Sequence, residues 1–360
     1  MKSFNKIRIS LGRATHTSST THVFGSSSPF QGTRRLLGVV AVLLGTAVAG
    51  ELAPGPVQGA PGSGQHDASA VARARAVFLK YLSSHRPLVR STAVPLTAGG
   101  GATSLPTLNW SGYADVEGGA NTFSSVSGQW VIPAVQCPSG NYRFQDAFIA
   151  QWVGLDGATD DTVEQLGTAA QCFEGVTYYY VWYEMFPAAT VEEGTLACIN
   201  DNVDCPQPGD QISASVTVTP AGATNNYTLS LTDFTHPAES FSVTQECAPT
   251  TCLDSSAEWI VERPAFAPAD LVQFVPLVNF FQTGFSNGAL TSGGKTTNIA
   301  GFQNGTVYDV YMIDDTESYW LDCVGQTGGP GELLLASNPN ACPTVSPSHG
   351  SFTVTWDSSF

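Results

Sequence analysis

The chain has 360 residues, 42% of them hydrophobic and only 12% charged, and its 30 Asp and Glu outnumber 14 Lys and Arg for a formal net charge of −16. The charges are segregated: 11 cations and two acids precede residue 104, while three cations and 28 acids follow it, which gives +9 and −25. A domain so poor in cations cannot lean on salt bridges and repels phosphate backbones, which excludes nucleic acid; its self-repulsion disappears as carboxylates protonate, which points to work in acid.

Near the start, Leu36 to Ala49 is an apolar run of 14 residues behind Arg34 and Arg35. It is short for a membrane span, and Ala47-Val48-Ala49 has the small-x-small pattern of a cleavage site. Residues 1–49 therefore read as a signal peptide region, predicting a secreted protein with no membrane attachment after cleavage. The arginine pair fits an ordinary basic leader and a twin-arginine signal equally well. Residues 50–67 are rich in Pro and Gly and read as linker. Periodicity predicts a helix over Ala68 to Arg86, with Val71, Ala74, Phe78 and Leu82 on one stripe. Residues 50–104 carry +3 and read as a basic prosegment with one helix, a candidate inhibitor of the acidic domain.

From Leu105 onward helical periodicity disappears. Eight runs of alternating β-branched and aromatic residues are bounded by turn residues: FSSVSGQWVIP, DAFIAQWVGLD, TYYYVWYEMFP, QISASVTVTP, NYTLSLTDF, AEWIVERP, TVYDVYMID and SFTVTW. They predict an all-β sandwich or barrel over residues 105–360, without internal repeats and large enough to bury a core as a monomer. All eight cysteines (137, 172, 198, 205, 247, 252, 323 and 342) fall in this part, which indicates disulfides. Cys198/Cys205 and Cys247/Cys252 are expected to staple hairpin loops, leaving Cys137/Cys172 and Cys323/Cys342 by elimination. No CxxC occurs, and no metal or cofactor is expected.

The acidic part holds only two histidines, His236 and His349, both in loop-like contexts. Serine and cysteine nucleophiles normally need an imidazole base, which acid would protonate. There is no HExxH, Asp-Thr-Gly or Asp-Ser-Gly. Carboxylates and amides on strands remain. Gln151 to Gly157 reads as a strand entering a turn, and Val163 to Thr168 as a short strand bearing an amide. Alternation places Tyr178, Tyr180, Trp182 and Glu184 on one strand face, and Glu258, Ile260 and Glu262 on another.

Taken in order, Asn109-Trp110-Ser111-Gly112-Tyr113, Gly128 to Pro133, Trp152 to Gly157, Gln165 to Thr168, Trp182 to Pro187, Gly209-Asp210 and Ala257 to Ile260 resemble the glutamic peptidases of the eqolisin family over about residues 105–320. The resemblance implies a double-sheet antiparallel β-sandwich of the jelly-roll/concanavalin-like kind and polypeptide substrates. It implies Gln165 and Glu258 as the catalytic pair, with Asp156 and Glu184 orienting them and Trp152 and Trp182 as cleft walls. A Glu can act as base in moderate acid, and a Gln amide donates hydrogen bonds without titrating. Glu164 departs from the pattern by adding a carboxylate beside Gln165. The competing reading is a jelly-roll glycoside hydrolase or carbohydrate-binding sandwich using Glu184 and Glu258, which leaves Gln165 without a role.

Overall fold

The computed structural model describes residues 67–82, 87–90, 102–117, 119–140, 146–221, 224–247, 251–266, 272–302, 304–313, 334–337 and 350–356. The expected signal, most of the linker, His349 and the Cys323/Cys342 pair lie outside them. No helix among the described residues is long and apolar enough to cross a membrane.

Among the described residues a helix, α1 (Ala68–Leu82), precedes eighteen strands. These are β1 (Ala102–Thr107), β2 (Trp110–Val116), β3 (Phe123–Val131), β4 (Ala147–Leu155), β5 (Val163–Phe173), β6 (Val176–Phe186), β7 (Val191–Glu193), β8 (Gln211–Ala221) and β9 (Thr224–Asp233). There follow β10 (Phe241–Glu246), β11 (Ser256–Glu262), β12 (Ala265–Phe266), β13 (Gln273–Phe274), β14 (Gln282–Ser292), β15 (Lys295–Asn298), β16 (Thr306–Ile313), β17 (Leu334–Ser337) and β18 (Phe352–Trp356). All eight predicted strand segments are strands. β5 extends five residues beyond the predicted segment, to Phe173.

The first sheet runs β14-β18-β17-β16-β2-β11-β4-β5-β6-β7, with β1 added in parallel to β16. The second runs β10-β9-β8-β3-β14, with β15 on the far side of β14. β14 serves both: Gln282 to Phe285 pair with β18, and after a register shift the rest pairs with β3. Apart from β1, these pairings are antiparallel. Between the sheets, Val126, Trp130, Ile212, Val216 and Leu229 meet Val153, Leu166, Trp259 and Val261 in one core.

Alternation is kept in the second sheet, where β3 and β8 bury every other residue and wet the rest. In β4, β5 and β11 it is lost, and every residue is buried. Both faces of these three strands are covered: one by the second sheet, the other by residues that precede the sandwich.

Three disulfides form as paired from the sequence, Cys137–Cys172, Cys198–Cys205 and Cys247–Cys252. Neither short one staples a hairpin. Cys198 lies in a second helix, α2 (Leu196–Asp201), capped by Thr195, so helix does occur beyond residue 105. Cys247–Cys252 closes the passage from β10 in one sheet to β11 in the other.

Candidate active site

Strand register assembles the site. Across the outer, groove-side face of the first sheet one row reads Tyr308, Ala114, Glu258, Gly154, Gln165, Glu184. Glu258 and Gln165 thus flank β4 from either side, two strand spacings or about 10 Å apart at Cα. Gly154 between them has no side chain, which lets Gln165 and Trp152 close in over it. A Cβ there would stand 3.0 Å from the Cβ of Gln165 and 3.0 Å from Cζ3 of Trp152.

The next row reads Val310, Gly112, Ile260, Trp152, Gly167, Trp182. A side chain at Gly167 would collide with the carbonyl oxygen of Gln151 and with Cβ of Trp152, so that glycine admits the close approach of β4. Trp152 and Trp182, the tryptophans expected to line the cleft, lie in the row beside Glu258, Gln165 and Glu184.

Gln165 is completely buried, and its Nε2 donates to Oε2 of Glu184 at 2.6 Å. The other oxygen of Glu184 accepts from Thr190 Oγ1 at 2.7 Å. The carbonyl oxygen of Gln165 has no partner. Glu258 is equally buried, and neither of its oxygens meets a neighbour in hydrogen-bonding geometry. Burial, with the charge of Asp156 behind it, pushes the Glu258 carboxyl well above the usual range, outweighing the nearby Ser256 hydroxyl that favours the ionised form. Burial in this state of the chain therefore favours the protonated form of Glu258.

Asp156 does not enter the groove. It follows β4 with φ 66, and its carboxylate accepts from the backbone N–H of Leu253, Asp254 and Ser255 at 2.7–2.8 Å. It ties the end of β4 to the loop that enters β11. Burial raises it to about 6, Asp160 adds to the rise, and the N–H donors oppose it. Glu164, paired with Leu155 one residue before Asp156, points into the inter-sheet core and away from the groove, as alternation demands.

Sequence reading passed over three contributors. Glu262 accepts from Trp152 Nε1 at 2.8 Å and from Asn109 Nδ2 at 3.0 Å, fixing the indole. Thr190 holds Glu184, and Gly154 makes room for Gln165 and Trp152. Alternation had put Glu262 on the face of Glu258, but nothing in spacing revealed its partners. Asn109, in an Asn-x-Ser sequon, is fully buried by these contacts. His236, the one histidine among the described residues, pairs its Nδ1 with Asp210 Oδ2 at 2.7 Å beyond β9, away from the row.

The groove is covered by the chain itself. Val71, Ala74 and Phe78 of α1, Leu88, and Leu105 of β1 share one apolar cluster with Trp110, Trp152 and Trp182. Phe78 stacks on Tyr180 with ring centres 3.9 Å apart, and Tyr81 meets Phe148 edge-on. Arg75 pairs with Glu192, Arg73 with Glu174 at 3.0 Å, and Arg90 donates to the carbonyl of Ala158.

The sequence model of the peptidase A4 family matches residues 108–324, more than half the chain and the whole of this row. The chain belongs to the peptidase A4 family. This is the family of the eqolisin glutamic peptidases that its motifs resemble, and the chain is accordingly a peptide-hydrolysing enzyme, a glutamic endopeptidase. Two crystal structures of scytalido-glutamic peptidase with transition state analogues are similar to it, at 20% and 19% identity, each over 69% of this chain and 98% of that one with TM-scores of 0.48. The aspergilloglutamic peptidase of Aspergillus niger is similar at 24% identity over 58% of this chain and 99% of that one, with a TM-score of 0.36. Among curated proteins nothing matches. Assignment to the A4 family rests on the sequence match.

Proposed function

We propose that this A4 peptidase is a secreted acid endopeptidase in which Glu258 is the general base and Gln165 the oxyanion donor. The observation that carries the reading is their placement on either side of Gly154. A scissile carbonyl laid over that glycine would have a carboxyl on one side and an amide on the other. Ionised Glu258 takes a proton from water, which attacks the carbonyl carbon, and then passes that proton to the leaving amine. Gln165 donates its free N–H to the tetrahedral oxyanion. Its other N–H is held by Glu184, so the amide meets the developing charge already oriented.

The covering segment fits an inhibitory prosegment. It fills the groove with Phe78 and its neighbours and removes water from Glu258, which keeps the base protonated. Segment departure would rehydrate Glu258 and lower its proton affinity toward the value of about 4.3 of a free Glu, suited to moderate acid. The glycosidase alternative is disfavoured because Gln165 stands between Glu184 and Glu258, and both oxygens of Glu184 are engaged.

The test is hydrolysis of a denatured protein at about pH 3–4, the range where a Glu base begins to ionise. Wild type should cleave it, while Glu258→Gln and Gln165→Ala should each lose at least about 100-fold, the usual scale for a base or an oxyanion donor. Either variant with near wild-type turnover overturns the assignment.

A further inference from the structure

Behind the catalytic row lies a group of carboxylates that the reaction does not use. Oxygens of Asp156, Glu164 and Asp254 all lie within 4.8 Å of one another in the inter-sheet core. Two of the three are well supplied with donors. Asp156 accepts three backbone N–H groups and the Ser255 hydroxyl. Asp254 accepts from Tyr227 at 2.8 Å and Asn225 at 3.0 Å. Glu164, fully buried, has no donor in hydrogen-bonding geometry on either oxygen among the described residues.

Three ionised carboxylates cannot share one dry site without a cation. The member that lacks donors is the one that keeps its proton, and a neutral carboxylic acid has one O–H to give. An oxygen of Asp156 lies within 4.8 Å of one of Glu164, and its charge is the first among the neighbours that act on Glu164. We propose that Glu164 is a positioning residue whose protonated carboxyl donates to Asp156, locking the 253–255 loop and thereby setting Glu258 opposite Gln165. This rests on the catalytic reading of Glu258 given above.

The linkage is short. Asp156 bonds to the three residues that precede β11, its own N–H donates to Ser256 O at 3.1 Å, and Glu258 lies two residues further on. The groups facing Glu164 are Asp156 and Asp160 from the β4–β5 connection, Asp254 from the loop before β11, Tyr227 from β9 and the Cys247–Cys252 disulfide. None is a cation. Burial first, then the charge of Asp156, hold the Glu164 carboxyl well above the usual range. When Glu164 finally ionises, a hydrogen bond becomes a repulsion between two carboxylates, and the loop that carries Glu258 loosens. Activity then fails on the neutral side for a reason separate from the state of Glu258.

Glu164→Gln replaces the titrating O–H by a permanent N–H donor, and Glu164→Leu removes the donor. The full chain, allowed to process in acid, is assayed for kcat/KM against pH, and separately held at each pH and returned to acid to measure retained activity. Glu164→Gln should keep acid activity within about threefold and move the neutral-side midpoint of retained activity up by about one pH unit or more, because its donor does not titrate. Glu164→Leu should lose about tenfold or more, the scale of one lost hydrogen bond to a charged group. An unchanged midpoint in Glu164→Gln overturns the proposal, even if the leucine variant fails to fold. So does a wild-type midpoint that calcium chloride raises and Glu164→Gln abolishes, because the cluster would then be a cation site. If Glu258→Gln stays active but the midpoint still moves, the catalytic reading fails and the Glu164–Asp156 bond stands.

Discussion

Glu258 and Gln165 face one another across Gly154, on the two strands that hydrogen-bond to either side of β4. Three strands in register make the site, so the empty position in the middle matters as much as the two functional groups. A methyl at 154 would press on the Cβ of Gln165 and the ring of Trp152, each at 3.0 Å. Gly154→Ala should therefore lower kcat/KM by about 10- to 100-fold, the scale of a misplacement of about 1 Å at a reacting centre. Its thermal midpoint should stay within a few degrees of wild type. Kinetics on a peptide substrate alongside a melting curve check this, and an unimpaired Gly154→Ala would mean that the substrate does not approach over Gly154.

Gln165 is aimed by a relay from Thr190 through Glu184. Thr190→Val keeps the shape and removes one donor to a buried carboxylate. Loss of a hydrogen bond to a charged group is worth about 1.5–3 kcal/mol. Because the relay orients the oxyanion donor proposed above, kcat should fall about tenfold or more with KM little changed. An equal loss in stability with kcat preserved would show that Thr190 serves the fold alone.

Much of this site was legible beforehand, for a physical reason. Period-two alternation is enforced by the pleat, so Tyr178, Tyr180, Trp182 and Glu184 had to share a face, and so did Glu258 and Glu262. The motif order then picked out Gln165 and Glu258. Register was not legible, because the facing of Glu258, Gly154 and Gln165 depends on three strands distant in sequence. For the same reason Glu262 and Thr190 went unrecognised: a carboxylate and a hydroxyl become supports only when Trp152 and Glu184 arrive from other strands or turns. The helix stripe was read from periodicity, and Val71, Ala74 and Phe78 are its buried side. The segment reads as an inhibitor of the acidic domain, but which residues the stripe covers could not be read, since a helical face does not name its partner. The short helix α2 was missed because six residues between a capping threonine and a disulfide show no period.

Phe78 is the residue most deeply engaged by the groove, stacked at 11° on Tyr180 and nearly parallel to Phe148 as well. Truncating a buried Phe to Ala costs about 3–5 kcal/mol, most of it here from the seat of α1 on the first sheet. Phe78→Ala should hasten removal of the segment at a given acid pH by about tenfold or more, each 1.4 kcal/mol of the loss being tenfold in the open population. Mass spectrometry of the new N-terminus over time measures the rate. Processing at the wild-type rate would mean that α1 does not guard the groove.

Stability should fall as pH rises, the reverse of a protein held by ion pairs. Asp309 and Asp115 lie on neighbouring strands, β16 and β2, and both are buried. Among the described residues neither oxygen of Asp115, nor Oδ1 of Asp309, meets a hydrogen-bond partner. Burial raises Asp309 to about 7 and Asp115 well above the usual range. Below about pH 4, the region of an unperturbed Asp, both folded and unfolded chains hold these protons and the groups cost nothing. Between that pH and about 7 the unfolded chain releases its protons while the folded chain retains them, so unfolding becomes progressively easier. Above the folded value the full penalty is present. At about 1.4 kcal/mol per tenfold change in proton affinity, Asp309 alone removes roughly 4 kcal/mol over that window. The melting temperature should therefore be highest near about pH 3–4 and decline toward neutrality. Asp309→Asn, which cannot ionise, should flatten the decline, with a cost in acid of no more than about 1–3 kcal/mol for the altered buried group. Scanning calorimetry of both proteins in steps from acid to neutral pH decides the matter: a wild-type melting temperature that rises over this range, or an Asp309→Asn curve parallel to it, would show that these buried acids do not set the stability of the sandwich.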